Sequence, residues 1–409
     1  MLDTQMTAAT AQATSQETTQ AKPLHGYKNL KLIENNYRRN ISSDYTERME
    51  HLAADFSYAD HADVNWLDPE FSLLYGSPIY EQASDSQKRA LNHLYWVCFY
   101  NYSIGGEVAT MVFNQLTCGA FYPLGGYETL CRELDVETSQ ERTHVEAFRR
   151  IGQATEMALL GELIFDRPIP SFMDSAMVHP QQGGRAFFQN ILPQAYYQGI
   201  SRSPFMASQY YTVRGIRNIQ LKVKEYQHSQ FFQKLEQSDT PAALPAPSAI
   251  SHYHYLDEAF HTATSQLVSH QLYKDFPKPS LLDRSLSNIG VLGVQRTVRH
   301  LSAAVPGIFS EDRTYLPLVD KMLQSPLFGL SASESLRLLQ ASFCQEHEGF
   351  HVGAKYHQRA LSDNRKYVDG LDYLWPINRD LRIMASASIE KALKLNQQAW
   401  QEYTQTRAA

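Results

Sequence analysis

Cysteine is scarce: Cys98, Cys118, Cys131 and Cys344 are the only four in 409 residues, far apart and without a Cys-x-x-Cys pair. That excludes a dense disulfide framework and points to reduced thiols and a cytoplasmic setting. No apolar run approaches the length of a membrane span, so no membrane partner is expected. A basic excess is also missing. The formal net charge is -6 with Lys and Arg scattered, which argues against nucleic acid or an anionic lipid surface as a partner. There is no P-loop, no Gly-x-Gly-x-x-Gly after a strand and no nucleophile elbow. Electrons for any redox chemistry would come from an external donor, such as a reductase or a ferredoxin. Residues 1–25, rich in Thr, Ala, Gln and Ser, lack the basic start and apolar run of a signal peptide and read as a disordered, solvated tail.

Regular series of short alternating strands are absent too, and what remains is helical. Leu91, Leu94, Val97, Ile104 and Met111 recur at helical spacing and predict a helix over 86–118. A break at Tyr122-Pro123-Leu124-Gly125-Gly126 precedes a second helix over 136–165. Four prolines and the Gly183-Gly184 pair make 166–203 irregular. A third helix is expected over 204–237. Pro241 to Pro247 reads as a non-helical linker, and a fourth helix starts between Ser248 and Ser251 and runs to 274. Four or five more helices follow, interrupted around Pro277, Pro306, Pro317, Pro326 and Pro376. The chain therefore reads as all-α, with a helical bundle over 26–275 and additional C-terminal helices over 276–409 packing on it.

Within this pattern Glu141-Arg-Thr-His144 and Glu258-Ala-Phe-His261 are both Glu-x-x-His pairs. Positions i and i+3 share one helix face, so both side chains of a pair can reach one ion. A single Glu precedes each pair, Glu107 by 34 residues (141 − 107) and Glu225 by 33 (258 − 225). Two antiparallel hairpins, each giving Glu from one helix and Glu-x-x-His from the next, are the recipe for a di-iron carboxylate bundle. Four glutamates cancel the charge of two ferrous ions, which a buried site requires. Carboxylates can bridge the ions, and imidazole suits iron. Glu107 lies in an apolar stripe with Ile104 and Met111, where a solvated Glu rarely sits. Glu225 has more polar neighbours, Lys222 and His228, and is taken as a ligand because no other Glu lies between Glu162 and Glu236.

His254 lies one turn before Glu258, on the same face. The segment His254-Tyr-Leu-Asp257-Glu258-Ala-Phe-His261 resembles the p-aminobenzoate N-oxygenase family, whose last metal helix carries His-x3-Glu-x2-His. The resemblance covers roughly residues 70–270. It implies a ferritin-like bundle in which Glu107, Glu141, His144, Glu225, Glu258 and His261 bind two iron ions and His254 is the extra histidine. Asp257 reads as a neighbour of the ligands or a solvent-facing residue. The connection between the second and third metal helices is longer than in that family, which makes Glu225 the weakest correspondence. O2 is the implied co-substrate and N-oxygenation of a small amine the leading chemistry. Relatives with the same core include dimetal halogenases and hydroxylases acting on C–H bonds of acyl chains held by a carrier protein, so the substrate is small or carrier-tethered. A homodimer is among the assemblies expected.

One motif competes. His347-Glu348-Gly-Phe-His351 matches the helical His-Glu-x-x-His zinc site of metallopeptidases, with His357 six residues beyond His351. No edge strand to hold a peptide accompanies it.

Overall fold

The structure, a computed structural model, describes residues 26–166, 186–238 and 244–408. The tail expected over 1–25 lies outside these residues, as do half of the expected irregular region (167–185) and the first part of the Pro241 linker. Among the described residues the chain is all-α, without a strand.

Two helices that the apolar periodicity did not indicate, α1 (Gly26–Ser42) and α2 (Thr46–Ala54), and a single turn α3 (Pro78–Gln82) precede the first long helix, α4 (Asp85–Phe121). Ser84 starts α4 through a capping box: its hydroxyl accepts from Gln87 N (3.3 Å), and the Gln87 side chain accepts from Ser84 N (2.9 Å). Gly125 (φ 68°) and Gly126 (φ 82°) turn the chain into α5 (Glu128–Leu160), which stops at left-handed Gly161 (φ 73°). This helix begins two turns before the expected residue 136. Its inward face carries Glu133, Glu137 and Glu141, all buried, so apolar periodicity alone underestimates it.

A helix, α6 (Ala186–Arg202), occupies much of the region expected to be irregular, and α7 (Pro204–Glu236) follows from the Ser203 cap. The next helix, α8 (Ala246–His270), corrects the expected start at 248–251 and the expected end at 274. Pro247 is accommodated because the first turn has no intrahelical N–H partner to lose. Ser248 and Ser251 therefore face the core instead of capping: Ser248 donates to Trp66 O (2.6 Å), and Ser251 Oγ accepts from Trp96 Nε1 (2.9 Å).

The hairpins α4–α5 and α7–α8 pack most extensively. Around them lie α9 (Leu281–Thr297), α10 (Tyr315–Gln324), α11 (Ala332–Cys344), α12 (Glu348–Val368), the single turn α13 (Pro376–Arg379) and α14 (Ile389–Ala408). Pro317 sits in the first turn of α10 and does not interrupt it. One apolar core runs through all of these helices except the single turn α13, from Ile33 to Ala399, and no described helix is long and apolar enough to cross a membrane.

A buried histidine braces the approach to α4. His93 stacks on Trp66 at 4.0 Å, donates from Nε2 to Val64 O (2.8 Å) and accepts at Nδ1 from Tyr58 (3.0 Å). Burial depresses its pKa to about 4. The unfolded chain then binds more protons below the ordinary value of about 6.5, so stability is full above that pH and is lost as pH falls toward 4. Replacing His93 with Gln is expected to flatten this part of the stability-against-pH curve, measured by urea unfolding. An unchanged slope would remove the assignment.

Candidate metal centre

The interior of the two hairpins holds the sequence-derived residues on four helices. Glu107 comes from α4, Glu141 and His144 from α5, Glu225 from α7, and His254, Glu258 and His261 from α8, and all seven are buried. His144 Nδ1 lies 3.2 Å from Glu107 Oε2 and 3.4 Å from Glu141 Oε2. His261 Nδ1 lies 2.7 Å from Glu258 Oε1 and 3.3 Å from Glu141 Oε1. His254 Nε2 is 3.1 Å from Glu107 Oε1.

Two sets of donor atoms are close enough to hold an ion each: Glu107, His144, His254 and Glu258, and Glu141, Glu258 and His261, each within 4.8 Å. Glu258 is common to both, as a bridging carboxylate would be. Glu225 is in neither set, although its Oε1 is 3.5 Å from His254 Nδ1. Those two atoms are buried without a hydrogen bond, which is costly in a dry interior unless an ion takes them. The donor chemistry and these orphaned atoms fit a pair of divalent cations.

The electrostatics follow from crowding. Burial would raise the Glu258 carboxyl, yet His261 and His254 outweigh it and hold it at about 2. Burial also opposes charge on His144, but Asp257 and Glu141 raise it to about 10. Glu225 differs. Burial dominates there and pushes it up to about 7 despite His254.

Several residues surround these seven, and Asp257 alone among them was indicated by the sequence. Arg214 on α7 pairs with Glu137 Oε2 (2.8 Å) and approaches Glu141 Oε1 (3.6 Å). Asn218 donates to Glu258 Oε2 (3.3 Å). Asp257, fully buried, accepts from His144 Nε2 (3.3 Å), so it does not face solvent. Gln140 accepts from His261 Nε2 (2.9 Å). The available signal was positional, since Gln140 precedes Glu141 as Asp257 precedes Glu258. A narrow cleft reaches the carboxylates between α4 and α7, walled by Phe113, Tyr210, Val213 and Leu221, with Arg217 at Gly106.

The competing zinc motif does not assemble. His347 caps α12 from outside the helix, with Nδ1 accepting from Gly349 N (3.2 Å) and Nε2 donating to Ser342 O (2.8 Å). His351 is exposed and pairs with Glu346, while His357 is buried against Val298 O. The three imidazoles thus have separate structural partners.

With the geometry in place, comparison with known families decides the assignment. The family model described as acyl halogenase CylC-like matches residues 28–195 and 173–404. The chain belongs to the CylC-like acyl halogenase family. No curated protein and no solved structure matches the chain. This CylC-like protein is accordingly an enzyme of the dimetal-carboxylate type, and its buried Glu/His cluster is where two ions could sit. The match supports the halogenase side of the sequence-based expectation. It lends no support of its own to N-oxygenation of an amine.

Proposed function

We propose that the protein is a di-iron halogenase that uses O2 and a halide to functionalise an unactivated carbon of an acyl chain, presented free or on a carrier protein. The observation that carries this reading is the convergence of two donor sets sharing Glu258 at the end of an apolar-walled cleft, in a chain of the CylC-like family. Glu107, Glu141, His144, His254, Glu258 and His261 would hold the ions, with Glu225 a further ligand. Two iron ions, when bound, supply O2 activation.

The chain's own residues do the rest. Phe113, Tyr210, Val213 and Leu221 would line an acyl tail and exclude water from the reacting carbon. Asn218 holds Glu258 Oε2, fixing the shared carboxylate's rotamer.

The test is incubation of the iron-loaded protein with O2, a reductant, chloride and a medium-chain acyl thioester on a carrier protein, with mass spectrometry of the acyl product. A chlorine isotope pattern is expected. Oxygen insertion without chlorine in the presence of excess halide, or oxidation of aryl amines in preference to acyl chains, would overturn the halogenase reading.

A further inference from the structure

The two Glu-x-x-His helices brace each other crosswise. Asp257, just before Glu258 on α8, accepts from Nε2 of His144 on α5 (3.3 Å). Gln140, just before Glu141 on α5, accepts from Nε2 of His261 on α8 (2.9 Å). The Gln140 amide orientation is set by its own donation to Asn40 Oδ1 of α1 (2.8 Å), which leaves its carbonyl facing His261. Each imidazole is thereby held with Nε2 protonated and Nδ1 turned to the carboxylates.

The brace is symmetric in position and asymmetric in charge. A carboxylate behind an imidazole raises its basicity as a ligand, whereas an amide orients it without adding charge. Two further observations fall on the same side. The donor set containing His144 has four members, and the set containing His261 has three. The Arg214 guanidinium stands 3.6 Å from Glu141 Oε1, where its positive charge competes with an ion for that carboxylate.

We infer that the centre binds two divalent cations of unequal affinity, the ion on His144 first and tightly, the ion on His261 second and more weakly, with Asp257 and Gln140 as the positioning residues that set the difference. This rests on the dimetal reading above and extends it to the order of loading. A second ion that binds weakly makes the assembled centre depend on metal supply, and the one-ion form is a defined species on the way.

Cobalt(II) added to the chelator-stripped full chain, followed by calorimetry and by the visible bands of the bound ion, tests this without turnover. Two resolved steps are expected for the unaltered chain. Asp257→Asn should weaken the tight step about 10–100-fold, the usual cost of losing a residue that supports a ligand, and leave the weak step in place. Gln140→Leu should weaken the second step alone, while Gln140→Asp should bring the two steps together. Two equal steps in the unaltered chain, or Asp257→Asn acting only on the weaker one, would overturn the inference while leaving a dimetal centre standing. Absence of any cobalt binding by the unaltered chain would instead remove the dimetal reading. Should either leucine or asparagine variant not fold, the unaltered titration and Gln140→Asp still decide.

Discussion

Glu258→Ala is expected to strip both ions from the protein together. Glu258 is the one carboxylate common to both donor sets, it is buried, and α8 offers no second acid that could take its place, since Asp257 is turned to His144. Metal content after iron or cobalt loading should fall to background, with activity following it. The loss should exceed the roughly 10–100-fold effect of removing a residue that merely supports a ligand. Glu107→Ala touches only the set containing His144 and should leave partial loading. Elemental analysis of the desalted variants separates the cases. Full occupancy in Glu258→Ala would mean that the ions lie elsewhere.

The second large effect is one of packing. A Cβ at Gly215 on α7 would lie 2.1 Å from Tyr367 Oη and 2.2 Å from its Cζ. Tyr367 on α12 cannot simply swing away, because its hydroxyl donates to Tyr211 O (2.8 Å) and meets Ser269 Oγ (2.8 Å). Gly215→Ala must therefore displace the ring and break both contacts. Overpacking of this kind costs about 1–3 kcal/mol and each lost hydrogen bond about 1 kcal/mol, giving a total of about 3–5 kcal/mol against a typical margin of roughly 5–15 kcal/mol. Tyr367→Phe alone should cost less, about 1–2 kcal/mol. Denaturant unfolding of the two variants checks the ranking, and Gly215→Ala at unaltered stability would show that the α7–α12 seam can open freely.

Much of the centre was legible in the chain because its spacings are helical. The separations of 34 and 33 residues between each single Glu and its Glu-x-x-His match two hairpins of similar length, and the folded hairpins do bring those side chains to one place. Spacing alone does not make a donor, however. Glu225-Tyr-Gln-His228 repeats the Glu-x-x-His interval, yet His228 lies 4.9 Å from the rings of Phe71 and Phe99 and belongs to neither donor set. The metallopeptidase motif at His347 misled for a related reason: the cap position takes His347 off the helix on which His351 sits.

Helix ends were read less well where polar residues are buried. Glu133 and Glu137 hide the inward stripe of α5, and the proline-rich start of α8 hides its first turn. Glu133 itself is pushed up to about 7 by burial and by Glu137, a sign of how much acid this interior holds. Partners such as Asn40, Gln140 and Arg214 depend on which helices meet, and no local pattern announces that.

Helix α1 is tied to this acidic layer. Asn36 donates to Glu133 Oε1 (2.8 Å) and to Thr264 Oγ1 (2.9 Å), and Asn40 both supports Gln140 and reaches Glu133 (3.3 Å). Shortening the chain from its amino end past Ser42 would therefore do more than trim a surface helix. It would let water onto the carboxylates and free the Gln140 amide to rotate, so that damage at one extremity would be felt first at His261 on the far helix.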